Sequence, residues 1–180
     1  MNLFNLLLLI IIIFLILLSG FLSGSETAIT ATSKARIIYK IKKGSKRAHL
    51  LKKIIDNKES AISTLLLSNN LVNVLASSLA TAFFVNLFGV TGIFYATLLM
   101  TLLLVIFAEV LPKTYAINKP TRTALIIAPI IYYLNRLLSP LVYLINKIVS
   151  LIMKNKDIYD NKLSDEKSEE ELQGMIDLYQ

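Results

Sequence analysis

Residues 3–22 run for twenty positions without a charged side chain, and no other feature restricts the fold as strongly. At about 1.5 Å per residue a helix of that length crosses the roughly 30 Å hydrocarbon core of a bilayer. A secretory leader is the competing reading, but its basic opening stretch is missing and the run is long for its apolar part. The run also has company. Residues 60–88 are again free of charge, and residues 93–110 contain one acid, Glu109. Over the whole chain 55% of residues are hydrophobic and 17% charged, with a mean hydropathy of +0.64. A water-soluble globule carries about 25% charged residues, so the chain reads as an all-α integral membrane protein. No cysteine is present, which excludes disulfides, thiolate metal sites and cysteine nucleophiles. Tryptophan is absent too, leaving eight tyrosines for interfacial anchoring.

Charge divides the chain into a basic body and an acidic tail. Residues 1–156 hold 17 Lys/Arg against 4 Asp/Glu, and residues 157–180 hold 2 against 8. Ten of the basic residues lie between Lys34 and Lys58. With Tyr39 the sole aromatic there, nucleic acid is not the expected partner. Apolar residues at Ile37, Ile38, Ile41, Ala48, Leu51, Ile54 and Ile55 recur at helical spacing around Gly44-Ser45, which predicts a basic helical hairpin over 31–59 at a membrane surface. Anionic lipid headgroups are its expected contact.

Three transmembrane helices are expected at about 3–24, 62–88 and 92–111, with a turn over 89–92. Residues 121–153 are apolar but interrupted by Pro129, Arg136, Pro140 and Lys147. They read as juxtamembrane amphipathic helices half-sunk in one leaflet, or as a fourth span; Arg136 near a bilayer centre would cost about 3 kcal/mol, which favours the first. The positive-inside rule puts the N-terminus outside and the C-terminus in the cytoplasm, in a plasma or inner membrane. Residues 1–153 are thus one transmembrane domain. Residues 154–180 read as an acidic cytosolic linker helix, Ser168 and Glu171 having the spacing of a capping box.

Three segments hold polar groups that a bilayer tolerates only if they are used. Around Ser23-Gly24-Ser25-Glu26, Gly24 weakens the first helix, and an opened turn would expose carbonyls beside hydroxyls, a surface suited to a cation; close helix packing on small residues is the equal alternative. Asn69, Asn73 and Ser77 are four apart and share a helix face, with Ser68 and Asn70 beside them. They serve either a metal or interhelical hydrogen bonding. Glu109 precedes Pro112, whose missing N–H frees the carbonyl of Ala108. An intramembrane acid is a functional candidate by default, and a salt bridge to Lys113 is its structural alternative. One carboxylate with hydroxyls, amides and freed carbonyls makes an all-oxygen site of the kind hard cations prefer. One His, His49, and no Cys leave little for catalysis, so no enzyme is expected.

At these residues the sequence resembles the transmembrane domain of the CNNM/CorC magnesium transporters. The family's Ser-Gly-Ser-Glu-Thr-Ala stands as Ser23 to Ala28. Its Gly-Asn-x-x-x-Asn is matched by Ser68-Asn69-Asn70-Leu71-Val72-Asn73, and its Gly-Glu-Val-Leu-Pro-Lys by Ala108-Glu109-Val110-Leu111-Pro112-Lys113. Ser68 and Ala108 depart from the pattern by carrying a side chain where the family commonly has glycine. The resemblance implies a homodimer of three-span protomers that moves Mg2+ out of the cell and suggests Na+ as the coupling ion. Its implied Mg2+ ligands are Ser23, Gly24, Ser25, Asn69, Ala108 and Glu109, supported by Glu26, Asn70, Asn73, Pro112 and Lys113. The family's CBS pair is absent from this chain, so no ATP-dependent behaviour is expected. The alternative from another class is a membrane anchor that senses Mg2+ or binds partners without transporting anything.

Overall fold

The computed structural model describes residues 3–153. Among them seven α-helices follow in order: α1 (Leu3–Ala31), α2 (Lys34–Lys42), α3 (Lys46–Asp56), α4 (Lys58–Phe88), α5 (Gly92–Leu103), α6 (Leu111–Asn118) and α7 (Pro120–Met153). A 3-10 turn, Gly89–Thr91, joins α4 to α5, and a π-helical segment, Leu104–Val110, carries α5 into α6. The expected acidic linker over 154–180 lies outside the described residues. Two compact units divide the chain, Met1–Ser139 and Pro140–Gln180. Of the second, the described part continues α7.

Three helical stretches are long and apolar enough to cross a membrane: Leu3–Ala31, Lys58–Asn118 and Pro120–Ile145. The second folds back on itself, so that α4 packs along α5 and α1 packs against both α4 and the π segment. The reversal falls in the expected turn. Gly89 has φ 64°, which an L side chain rarely adopts, and the Phe88 and Tyr95 rings meet across it at 5.5 Å. Large apolar side chains such as Leu3, Phe14, Leu71, Phe94 and Leu102 stand exposed around the first unit. Water would not tolerate so much apolar surface, whereas lipid matches it. The chain is a membrane-embedded, multi-pass, all-α protein.

The interior of the first unit has two apolar clusters. Near the Gly89 turn, Ile12, Leu15 and Ile16 of α1 meet Ala76, Ala80 and Phe83 of α4 and Met100 of α5. At the opposite end, Leu22, Ala28 and Ile29 of α1 pack with Ala61 and Leu65 of α4, with Ile37, Leu51, Ile54 and Ile55 of the α2–α3 hairpin, and with Ala124, Ile127, Ala128 and Ile131 of α7. The hairpin breaks where the sequence predicts. Gly44 takes φ 79°, and Ser45 caps α3 by accepting from the Ala48 N–H at 3.4 Å.

Two expectations are corrected. Gly24 does not open α1, which is helical without interruption to Ala31. The pair of helices expected over 121–153 is one helix. Pro129 and Pro140 each remove a single ladder bond, and burial at Ala124, Ile127, Ala128 and Ile131 holds one continuous face across Pro129. Asn135 fixes the same stretch by accepting from Thr64 at 2.7 Å and from Ser60 at 3.2 Å.

Candidate functional site

Between the two apolar clusters lies a polar layer, because α1 places Ser19 between Ile16 and Leu22 and α4 places Ser68, Asn69 and Asn73 between Leu65 and Ala76. Ser19 of α1 donates towards two carbonyl oxygens of α4, the Asn69 Oδ1 at 2.7 Å and the Asn73 Oδ1 at 2.5 Å. Asn69 and Asn73 are four apart and therefore stacked on one face. A hydroxyl has one proton, so three oxygens meet with a single hydrogen between them. That deficit is met by turning one amide over or by a cation.

One helical turn from Ser19, on the same face of α1, Ser23 is fully buried, and its Oγ has no hydrogen-bond partner among the described residues. A buried hydroxyl without a partner costs about 1–3 kcal/mol. Helical serines usually escape this by bonding back to the carbonyl four residues earlier. Ser25 does so to Phe21 at 2.6 Å and Ser68 to Thr64 at 2.7 Å. The Ser68 hydroxyl is thus absorbed within its own helix.

The other side of α1 faces the π segment. A Cβ built on Gly20 would lie 2.8 Å from the Phe107 carbonyl oxygen and 3.6 Å from the Ala108 Cα; one built on Gly24 would lie 3.2 Å from the Pro112 Cβ. Gly20 and Gly24 are four apart and form a small-residue stripe on which the third limb seats. In the segment itself the Leu111 N–H reaches back to the Ile106 carbonyl, five residues earlier. The wider turn ends at Pro112, which brings no N–H of its own. The carbonyl directed at α1 is that of Phe107, one residue before the one named from the sequence. A cavity of about 350 Å3 opens beside this crossing, bordered by Gly20, Gly24, Ser25, Phe107, Pro112 and Tyr115.

The sequence-derived set is only partly assembled. Ser23, Gly24, Ser25, Asn69 and Ala108 are buried at the crossing of α1 with α4 and the π segment, with Asn73 and Pro112 half-buried beside them. Asn70 points outward. Glu109 follows the buried Ala108 and stands exposed on the bundle surface, without a hydrogen bond or ion pair among the described residues. The salt bridge to Lys113 that the spacing allows is not formed there. Glu26 is half-buried, its main-chain carbonyl accepting from Thr30 at 2.8 Å. No group of three or more His, Cys, Asp or Glu side chains gathers among the described residues, so any ion held here meets hydroxyl, amide and main-chain oxygens. Ser19, Gly20 and Phe107 complete the crossing and were not singled out from sequence. The four-residue spacings of Ser19 with Ser23 and of Gly20 with Gly24 were the available signals.

The sequence matches, over residues 10–180, the model of a family described as the cyclin M (CNNM) transmembrane N-terminal domain. The UPF0053 inner membrane protein YfjD of Escherichia coli is 38% identical over 107 residues, covering 59% of this chain and 25% of that protein. A UPF0053 protein of Haemophilus influenzae is 37% identical over 107 residues, covering 59% and 26%. A putative DUF21 domain-containing chloroplastic protein of Arabidopsis thaliana is 27% identical over 124 residues, covering 69% of this chain and 19% of its own length. The chain spans about a quarter of the length of the two bacterial relatives.

Proposed function

The chain belongs to the CNNM transmembrane-domain family, and on that premise we propose that it carries Mg2+ across the membrane through the crossing of α1, α4 and the π segment. The observation that carries this reading is the polar layer in the middle of an apolar bundle: Ser19 against the Asn69 and Asn73 amides, with the unpartnered Ser23 hydroxyl one turn away. Hard cations take such ligands, and Mg2+ binds through few protein groups while keeping several waters. A transported ion must also be held weakly enough to leave, which fits a layer of neutral oxygens better than a carboxylate cage. Glu109 supplies the charge nearby. Left bare on a lipid-facing surface it is expensive, so it faces a hydrated path or the partner of a homodimer.

By the same reading the ion leaves the cell against Na+, the basic α2–α3 hairpin lies in the cytoplasm, and the N-terminus is outside an inner or plasma membrane. A non-transporting Mg2+ sensor is the second reading. It is favoured by one observation, that Glu109 does not join the oxygen layer.

Calorimetric titration of Mg2+ into the detergent-purified chain in Na+-free buffer tests the site. Replacing Ser23 by Ala removes a buried hydroxyl that nothing in the fold uses, so the variant melts at the same temperature or higher while its Mg2+ affinity falls by about tenfold, equivalent to roughly 1.4 kcal/mol. Equal affinity in both proteins contradicts the site; binding with no flux in liposomes promotes the sensor.

A further inference from the structure

The α2–α3 hairpin and the start of α7 border a second, open cavity of about 640 Å3, which shares no residue with the oxygen layer. Four cationic side chains line it, Arg36 and Lys40 of α2, Arg47 of α3 and Arg122 of α7, and no acidic one. Among the described residues the ion pair formed on this hairpin is Lys52 with Asp56, at 3.0 Å, and none of the four has a carboxylate partner. Like charges gathered without a counter-charge repel one another, so the cavity is arranged for an anion.

Two further features say what kind of anion. The Thr121 Oγ1 lies buried at the cavity wall with no hydrogen-bond partner. Thr121 and Arg122 also stand in the first turn of the 34-residue α7, ahead of the first ladder bond, from the Thr123 N–H to the Lys119 carbonyl. Their N–H groups therefore have no helical acceptor. Three guanidinium forks, an ammonium, an unused hydroxyl and the start of a long helix together match an anion with several oxygens around one centre, a phosphate group.

The rim selects the source. Leu125, Ile126 and Tyr39 share the cavity wall with the cations, Ile126 and Tyr39 are each more than half exposed, and Ile130, also more than half exposed, follows Ile126 by one turn on the same face of α7. A site for free phosphate has no use for an apolar rim, whereas acyl chains hanging from a phosphodiester would cover it. We propose that this cavity binds the phosphate headgroup of an anionic phospholipid, with Arg36, Lys40, Arg47 and Arg122 on the phosphate oxygens, Thr121 donating to one of them, and the acyl chains along Ile126 and Ile130. The site clamps the hairpin to α7 and depends on an anionic leaflet, and it stands whether or not Mg2+ is the transported ion.

The test is retention and melting of the full chain, purified in nonionic detergent, with phosphatidylglycerol, phosphatidylcholine or inorganic phosphate added at constant ionic strength. Native mass spectrometry counts the retained lipid. Phosphatidylglycerol is expected to stay bound and raise the melting temperature. The double variant Arg47→Gln with Arg122→Gln is expected to weaken this by about tenfold or more, while Lys42→Gln with Lys43→Gln, the same charge loss outside the cavity, leaves it nearly unchanged. If the first variant does not fold, Thr121→Val keeps the charge and is expected to weaken retention alone. Equal weakening in the two double variants, equal retention of phosphatidylcholine, or the same shift from inorganic phosphate overturns the proposal. So does displacement of the lipid by a peptide of residues 157–180, which would make the acidic tail the occupant.

Discussion

A methyl group at Gly20 would meet the Phe107 carbonyl oxygen at 2.8 Å, while one at Gly24 would meet the Pro112 Cβ at 3.2 Å. A main-chain oxygen cannot swing aside as a side chain can, so Gly20→Ala is expected to cost about 1–3 kcal/mol through overpacking, and Gly24→Ala less. Thermal unfolding in detergent measures both; equal melting temperatures would contradict the close approach. Individual residues were legible in the sequence in proportion to their cost in lipid. Ser23, Asn69 and Glu109 stand out because a bilayer penalises each of them. Ser19 does not, because a serine at a small-residue helix crossing is ordinary until its partners Asn69 and Asn73 are seen. The direction of Glu109 was also beyond reach. Its burial depends on where the π turn sets the register, and no spacing rule counts such a turn.

At the level of elements, charge-free length made α1, α4 and the α5–α6 limb visible, and Gly44 and Gly89 marked the reversals that the structure places at φ 79° and 64°. The π segment was invisible. Its hydropathy is that of any spanning helix, and what sets it apart is a shift in hydrogen-bond partner, from four residues back to five. Pro112 is the sole local hint, since it ends the wide turn without an N–H to return to the α register. Pro112→Ala supplies that N–H. The expected result is a tighter Leu104–Val110 segment with slower amide exchange there, no loss of melting temperature, and diminished Mg2+ flux. Unchanged exchange and flux would show that the wide turn is incidental to the ion path. The continuity of α7 across Pro129 was not expected: a proline suggests a break, but buried Ala124, Ile127, Ala128 and Ile131 hold one face of the helix together there.

For the whole molecule, the sequence specified the membrane class through composition, and its charge, with ten Lys/Arg between Lys34 and Lys58 and no basic side chain before Lys34, predicts a sidedness that remains to be measured. Sidedness is directly measurable because the chain has no cysteine. Single substitutions Val90→Cys, in the turn, and Lys43→Cys, in the hairpin, are expected to react with a membrane-impermeant maleimide from opposite faces of sealed vesicles, Val90→Cys from outside. Labelling of both from one face would overturn α4 as a membrane pass. The oxygen layer at Ser19, Ser23, Asn69 and Asn73 gains its meaning at this scale, since a neutral polar belt halfway through a bundle is useful to an ion only if the bundle opens to both sides. Mg2+ flux into proteoliposomes is therefore the most direct test, run with the wild-type chain and with Glu109→Gln, which keeps the size of the side chain and removes its charge. The account predicts flux above protein-free liposomes for the wild type and its loss in the variant at an unchanged melting temperature. Equal flux in the two, or none above the protein-free level in either, would contradict it.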